Sequence, residues 1–325
     1  MLEKRCFGKT NLQVSRLALG GLFVSRAGGE RKQSCEVIKR AWELGINYID
    51  TAPSYHDSEE VIGESLRMFD NDFIISTKIG NYPLSDFKAQ DKDFLRNQLE
   101  RSFHRLQRDR VNILTIHEPD RMGEFYEWWT DPVNYEGAVL DVLKEFQDKS
   151  AFDFIGLGGT TITEMQHLIN SGKFDLLLTA FQYSLLYQEA KDTVIRDAHR
   201  RNMAIIAGSP LQQGGFARVY KDVLETAPPR WMSEVRRKQF LALYELVNDC
   251  GIPLPELALR FILSDDRVHT VLTGARSVEE LELNVAAAEK GALPANILDE
   301  INRIYQMVPF RPYAEPMGLY ISPGK

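Results

Sequence analysis

Apolar residues recur along the chain in two alternating rhythms. Short β-branched or aliphatic runs occur at Leu17–Leu19, Tyr48–Asp50, Phe73–Thr77, Ile113–Ile116, Phe154–Leu157, Leu176–Ala180, Ala204–Ala207 and Thr270–Leu272. Between them lie longer stretches at Cys35–Leu44, Glu59–Arg67, Asp93–Leu106, Gly137–Gln147, Thr163–Asn170, Thr193–Arg200, Met232–Asp249 and Val278–Ala288, where apolar positions return every three or four residues. The first rhythm predicts strands and the second amphipathic helices. Strands that alternate with helices imply parallel βα units, and eight such units predict an α/β fold, the (β/α)8 TIM barrel.

The stretch KRCFGKTNLQVS places a polar turn between two short apolar pieces and predicts an N-terminal β-hairpin that plugs the lower mouth of the barrel. Two connections are long, Glu118–Glu136 after the fourth strand and Pro210–Trp231 after the seventh. Both leave C-terminal strand ends, the face on which barrel enzymes carry their active sites, and long loops are more often functional than structural. No linker, repeat or low-complexity tract divides residues 1–325, so a single barrel domain is expected.

Composition narrows the partners. A net charge of -7 argues against a nucleic-acid or anionic-membrane surface, since phosphate recognition rests on clustered Lys and Arg. A small-molecule partner is expected. The three cysteines, Cys6, Cys35 and Cys250, show neither disulfide nor zinc-ligand spacing, and no metal site is expected. MLEKRCFGKTNLQ lacks an apolar core of signal-peptide length, so a cytoplasmic protein is expected. The sequence sets no oligomeric state.

At the ends of the second, third and fourth strands stand Asp50, Lys78 and His117, with Tyr55 following Asp50 after the turn TAPS. Singly, each has an ordinary structural role: loop cap, solvated strand end, hydrogen-bonded histidine, rim packing. Together on three successive strands they suit proton transfer to a carbonyl oxygen. A phenol is a weak acid, and a nearby ammonium favours its phenolate, so Lys78 is expected to lower the Tyr55 pKa. Asp50 would hold the lysine by a charge-assisted hydrogen bond, and His117 would orient the carbonyl or relay a proton. Such a site partners hydride transfer from a nicotinamide. A metal-dependent lyase or isomerase using His117, Glu118 and Asp120 is the thinner alternative, because successive residues rarely all point at one ion.

DTAPSYHDSEEVIGESL, ISTKIG and TIHEPD resemble the aspartate-tyrosine, lysine and histidine motifs of the aldo-keto reductases, and the similarity runs through nearly the whole chain. The resemblance implies a barrel oxidoreductase using NADP or NAD, with Tyr55 as general acid/base, Lys78 as modulator of its acidity, Asp50 as the lysine's partner and His117 as orienting residue. It also implies cofactor contacts at Gly21, Leu22 and Asp50, at Gln182 on the nicotinamide carboxamide, and at Ser209, Pro210, Leu211 and Gly214 in a pyrophosphate loop. Gly274, Arg276, Ser277, Glu280 and Asn284 match its adenosine segment.

Two departures stand out. The common Ser-Asn after the fifth strand is replaced by Gly158 and Gly159, with Thr160 as substitute, and the tyrosine before Ser-Pro-Leu is Gly208. Both are similar to the aldose, galactose and pyridoxal dehydrogenase branch, which implies a carbonyl or sugar hemiacetal substrate interconverted with an alcohol or lactone. Arg276 suits a 2′-phosphate and favours NADP, whereas Glu280 would repel one, leaving NAD as the alternative cofactor. Phe125, Tyr126, Trp128, Trp129 and Tyr135 could stack on a substrate or merely hold the long loop to the rim. Phe23, Trp231 and the tail PFRPYAEPMGLY are further candidates for the mouth. A cofactor-binding regulatory barrel with slow turnover, like the family's channel-associated subunits, is the alternative function.

Overall fold

A computed structural model describes residues 2–80, 87–121, 127–312 and 315–321. Its first two strands, β1 (Lys4–Cys6) and β2 (Gln13–Ser15), form the antiparallel hairpin, pairing Lys4 with Ser15 and Cys6 with Gln13. Eight parallel strands then close a barrel: β3 (Leu17–Gly20), β4 (Tyr48–Asp50), β5 (Ile74–Ile79), β6 (Ile113–His117), β7 (Phe154–Gly159), β8 (Leu176–Ala180), β9 (Ala204–Gly208) and β10 (Thr270–Thr273), with β10 bonded to both β9 and β3. The predicted barrel and hairpin are both present. Each strand starts and ends within two residues of its predicted bounds.

Side-chain parity sorts the strand residues into two cores. Ile49, Ile75, Ile79, Leu114 and Ile116 face outward, into the large core shared with the helices. Their alternates Tyr48, Ile74 and Ile113 face inward and pack with Leu176, Leu178, Ala204 and Ile206. The hairpin contributes Phe7 and Val14 to this inner cluster, and the backbone N–H of Lys9 donates to the Asn202 carbonyl. The barrel floor is therefore apolar and sealed.

Helices α1 (Arg31–Glu43), α2 (Ser58–Ser65), α3 (Lys92–Leu106), α4 (Ala138–Asp148), α5 (Thr163–Asn170) and α6 (Val194–Arg200) follow the predicted segments. Between β9 and β10, where one helix was expected, there are three: α7 (Lys221–Thr226), α8 (Glu234–Cys250) and α9 (Leu254–Leu263). α9 packs against β10 and against α10 (Val278–Glu289), while α8 packs mainly against α11 (Ala295–Tyr305). The amphipathic run at Met232–Asp249 is thus an added outer helix, and the ring helix is LPELALRFIL. That segment buries Leu254, Leu257, Ala258, Leu259, Phe261, Ile262 and Leu263, but Pro253 and Pro255 resemble a loop signal although proline suits a helix's first turn.

Candidate active site

The parity that buries Tyr48, Ile74 and Ile113 on the barrel axis also aims Asp50, Lys78 and His117 inward, two or four residues further along the same strands. Register staggers them: Asp50 pairs with Ser76, Lys78 with Thr115, and His117 with Gly158. The inner stripe passes from apolar at the floor, through Ser76 and Thr115, to ionisable at the top. Lys78 and His117 lie within their strands, which run past the predicted ends.

Tyr55 reaches the same place by a turn. Its N–H donates to the Ala52 carbonyl at 3.0 Å, and its own carbonyl accepts from the Ser58 N–H at 3.0 Å, leading into α2. Ser58 Oγ, 2.8 Å from Thr51 Oγ1, donates to the Gly21 carbonyl at 2.8 Å, tying this turn to the end of β3. There is no room there for a side chain, because a Cβ on Gly21 would lie 2.7 Å from Ser58 Oγ and 2.8 Å from the Asp50 carbonyl.

The Lys78 ammonium is paired with Asp50 Oδ2 and donates to the Thr51 carbonyl at 2.7 Å. It also lies 4.7 Å from the centre of the Tyr55 ring. The Tyr55 and His117 rings meet edge to face at 5.8 Å, and Ser54 Oγ stands 3.5 Å from His117 Nδ1. The structure thus brings together all four residues picked out at the strand ends.

Electrostatics alter one expectation. Burial raises the Tyr55 pKa, Lys78 opposes it, and the net direction is upward, not downward. Lys78 does favour the phenolate, but desolvation outweighs it and the Asp50 charge adds to the rise. Burial pulls Lys78 down, yet Asp50 and Tyr55 more than offset that, and its pKa ends above the usual value. His117 is lowered to about 3 by burial, with Lys78 and Arg121 adding to the effect, so its imidazole is neutral at physiological pH.

The candidate cofactor residues line an arc across the other strand ends. Gly21 opens a 3-10 turn that exposes Leu22, while Thr160 follows β7 and Gln182 follows β8. Gln182 Nε2 donates to the Thr160 carbonyl at 2.6 Å. After β9, Pro210 and Leu211 are flanked by left-handed residues, Ser209 (φ 56°), Gln212 (φ 49°), Gln213 (φ 52°) and Gly214 (φ 104°). Gly274 ends the arc beneath the Phe23 ring, where a Cβ would come within 2.3 Å of that ring. Ser277 caps α10 by accepting from the Glu280 N–H at 3.3 Å, and Glu280 in turn accepts from the Arg276 N–H at 2.9 Å. Glu280 is thus a capping residue. The Arg276 guanidinium lies over Phe23 at 4.8 Å, and Asn284 Nδ2 donates to Thr273 Oγ1 at 2.9 Å.

A nicotinamide dinucleotide fits this donor set. A capped helix N-terminus with an adjacent arginine, the left-handed turn after β9, and amide and carbonyl groups at Gln182 and Thr160 are groups that suit anionic phosphates and a carboxamide. Glycine at 158 also has a local cause, since a Cβ there would lie 3.1 Å from Thr115 Cγ2 and 3.9 Å from the Lys78 stem. Among the described residues no group of three or more His, Cys, Asp and Glu is placed to hold a metal ion.

Of the two roles open to the aromatic loop, its described rings take the second, holding the loop. Trp128, Trp129 and Tyr135 are buried in the outer core, with Trp128 against Phe87 at 5.1 Å and Trp129 against Tyr135 at 5.4 Å. Phe125 and Tyr126 lie outside the described residues. Sequence reasoning missed the anchor of the C-terminal tail. Fully buried Arg236 pairs with Glu315 at 2.8 Å, Tyr187 Oη donates to the same carboxylate at 2.8 Å, and Arg311 lies over the Tyr187 ring at 3.7 Å. Beyond this anchor, Met317 Sδ touches Gln182 and the Leu319 N–H donates to the Gln212 carbonyl. The only sequence signal was charge on apolar stretches.

The Aldo/keto reductase family profile matches residues 16–306. Similar proteins include the L-galactose dehydrogenase of Arabidopsis thaliana, 26% identical with 98% of each chain covered. The pyridoxal 4-dehydrogenase of Microbacterium luteolum is 25% identical over 89% of this chain and 93% of its own. Among solved structures, the holo form of an aldo-keto reductase from Bacillus halodurans superposes with a TM-score of 0.75, covering 94% of this chain and 96% of that one at 22% identity. Among the described residues no helix is long and apolar enough to cross a membrane.

Proposed function

Because the chain belongs to the aldo/keto reductase family and is an NAD(P)-dependent oxidoreductase acting on small carbonyl compounds, we propose that it interconverts a sugar hemiacetal or related carbonyl with its lactone or alcohol, with Tyr55 as general acid/base. The observation that carries this reading is the convergence of Asp50, Lys78, Tyr55 and His117 on one point of the barrel rim.

In the reducing direction Tyr55 gives its phenolic proton to the carbonyl oxygen as a hydride arrives at the carbon. A bound nicotinamide supplies that hydride, or accepts it in the reverse direction. The raised pKa keeps Tyr55 protonated at neutral pH, ready to act as an acid. Lys78 stabilises the phenolate left behind, and Asp50 keeps Lys78 charged and fixed. Neutral His117 donates a hydrogen bond to the carbonyl oxygen without competing for its proton. In the oxidising direction the phenolate takes the hydroxyl proton of the hemiacetal.

Thr160 and Gln182 hold the carboxamide, the Ser209–Gly214 loop holds the pyrophosphate, and Gly274, Ser277 and Asn284 hold the adenosine. NADP is the preferred cofactor, supported by an exposed Arg276 whose carboxylate neighbour Glu280 is engaged with backbone. The dehydrogenase names of the two relatives above support the sugar or pyridoxal-like class.

The test is nicotinamide fluorescence on binding NADPH and NADH, with turnover on a panel of aldoses and aldehydes. Tyr55→Phe is expected to abolish turnover, by roughly 10²–10⁴-fold, while binding NADPH normally. Unchanged turnover in that variant would remove Tyr55 from the mechanism, and failure of the wild type to bind either nucleotide would overturn the reading.

A further inference from the structure

The motif HEPD that follows β6 contains a carboxylate that the catalytic reading does not use. Glu118 takes the left-handed conformation (φ 53°), and its N–H donates to the Gly158 carbonyl at 2.7 Å. With Pro119 this bends the chain sideways toward β7, so that Asp120, 3% exposed, reaches beneath the neighbouring loop. Asp120 Oδ2 accepts from the backbone N–H of Thr160 at 2.8 Å and from that of Thr161 at 2.5 Å.

Thr160 is the junction of this network. Its carbonyl accepts from Gln182 Nε2 at 2.6 Å and its hydroxyl from Arg121 Nε at 3.0 Å. Just upstream, Gly158 and Gly159 provide no side chain to hold the loop, and glycine pairs have the greatest backbone freedom. Glycine at 159 is needed, because a Cβ there would lie 2.9 Å from Asp120 Cγ and 2.3 Å from Met165 Sδ. The carboxylate under the loop and the glycine that admits it are one device. That device also has a cost, since Asp120 Oδ1 is buried with no hydrogen-bond partner among the described residues.

We propose that Asp120 is a positioning residue for the nicotinamide end of the cofactor. By gripping two successive amides it fixes the Thr160 backbone, and through the Thr160 carbonyl it fixes the Gln182 side chain. It thereby replaces, from below the loop, the rigidity that a side chain at 158 or 159 would supply from within. The proposal rests on the reading that Thr160 and Gln182 hold the carboxamide. It makes a separate demand: Asp120 should matter to the nicotinamide half of the dinucleotide and not to the adenosine half, which other loops bind.

The experiment compares two probes by titration calorimetry, NADP and 2′-phospho-ADP-ribose, the same molecule without its nicotinamide. Charge-assisted hydrogen bonds to a carboxylate set the scale, so Asp120→Ala is expected to weaken NADP about tenfold or more. The fragment should bind within about twofold of wild type, because its contacts lie outside the network. Asp120→Asn, which retains an acceptor oxygen at the same reach, should fall between wild type and Asp120→Ala on NADP and match wild type on the fragment. Equal loss for both probes, or loss for neither, would overturn the proposal. So would failure of both variants to fold, which would make Asp120 a support of the barrel alone. A wild-type protein that binds NADP no more tightly than the fragment would instead refute the underlying carboxamide assignment.

Discussion

Replacing Lys78 with Met removes the ammonium from a pair whose side chains are 2% and 3% exposed, leaving the Asp50 carboxylate buried and unpaired. The penalty has a ceiling, because a carboxylate that cannot bear its charge can bind a proton. From its ordinary value of 3.8, protonation of Asp50 at neutral pH costs about 4 kcal/mol, at about 1.4 kcal/mol per pH unit. That lies within the roughly 3–5 kcal/mol typical of breaking a buried pair, and below the whole stability of most domains.

The ceiling moves with pH. In the variant, the folded-state pKa of Asp50 is raised above its unfolded value, so the stability linked to its protonation is present at low pH and lost as pH rises. The penalty should therefore shrink from about 4 kcal/mol near neutrality to about 2 kcal/mol at about pH 5.5. Urea unfolding followed by tryptophan fluorescence at several pH values measures it, with the Asp50→Asn/Lys78→Met double variant as control. The double variant carries no buried charge and should show a smaller loss that does not vary with pH. A Lys78→Met penalty that is constant across the range would mean lost packing, and would refute the claim that the pair is buried and charged.

Glu315→Ala should behave oppositely: Arg236 cannot shed its proton, so a loss of about 3–5 kcal/mol should be flat with pH, and limited proteolysis should cut the freed tail first. Trp128→Ala should cost about 3–5 kcal/mol by leaving a core cavity, seen as a lower urea midpoint, without a selective rise in KM for aromatic substrates. His117 and His269 are lowered to about 3 and about 4, the latter by burial and then Arg16, so their stabilisation is complete above the ordinary value of 6.5 and is lost as pH falls below it. Each should contribute a slope of up to about 1.4 kcal/mol per pH unit between the two values, which His269→Gln should reduce in urea titrations at pH 4–7. Turnover should show no His117 ionisation step near neutral pH, and a step that disappears in His117→Gln would contradict its neutrality.

Periodicity made the barrel legible because each strand is a short apolar run and each helix carries its own repeat, both local properties of consecutive residues. The strand-end chemistry was legible for the same reason: Asp50, Lys78 and His117 terminate apolar runs, and closure of the barrel brings such ends together. Where local signals conflicted, prediction failed. LPELALRFIL is a short helix with Pro253 at its cap and Pro255 in its first turn, and the longer, proline-free α8 was read in its place. The aromatic loop stayed open between two roles, since composition does not distinguish a ring that lines a pocket from one that holds a loop in the core.

What the sequence determined by itself was the N-terminal hairpin, the eight barrel strands in their order and the set of ionisable groups at the rim. What only the tertiary structure decided was the balance of energies among groups far apart in the chain. Tyr55 is held above its ordinary pKa because desolvation outweighs a lysine 23 positions away. Asp120 grips amides 40 and 41 positions on, and Glu315 meets Arg236 across 79. Burial and distance set such energies, and neither is defined until the chain has closed on itself.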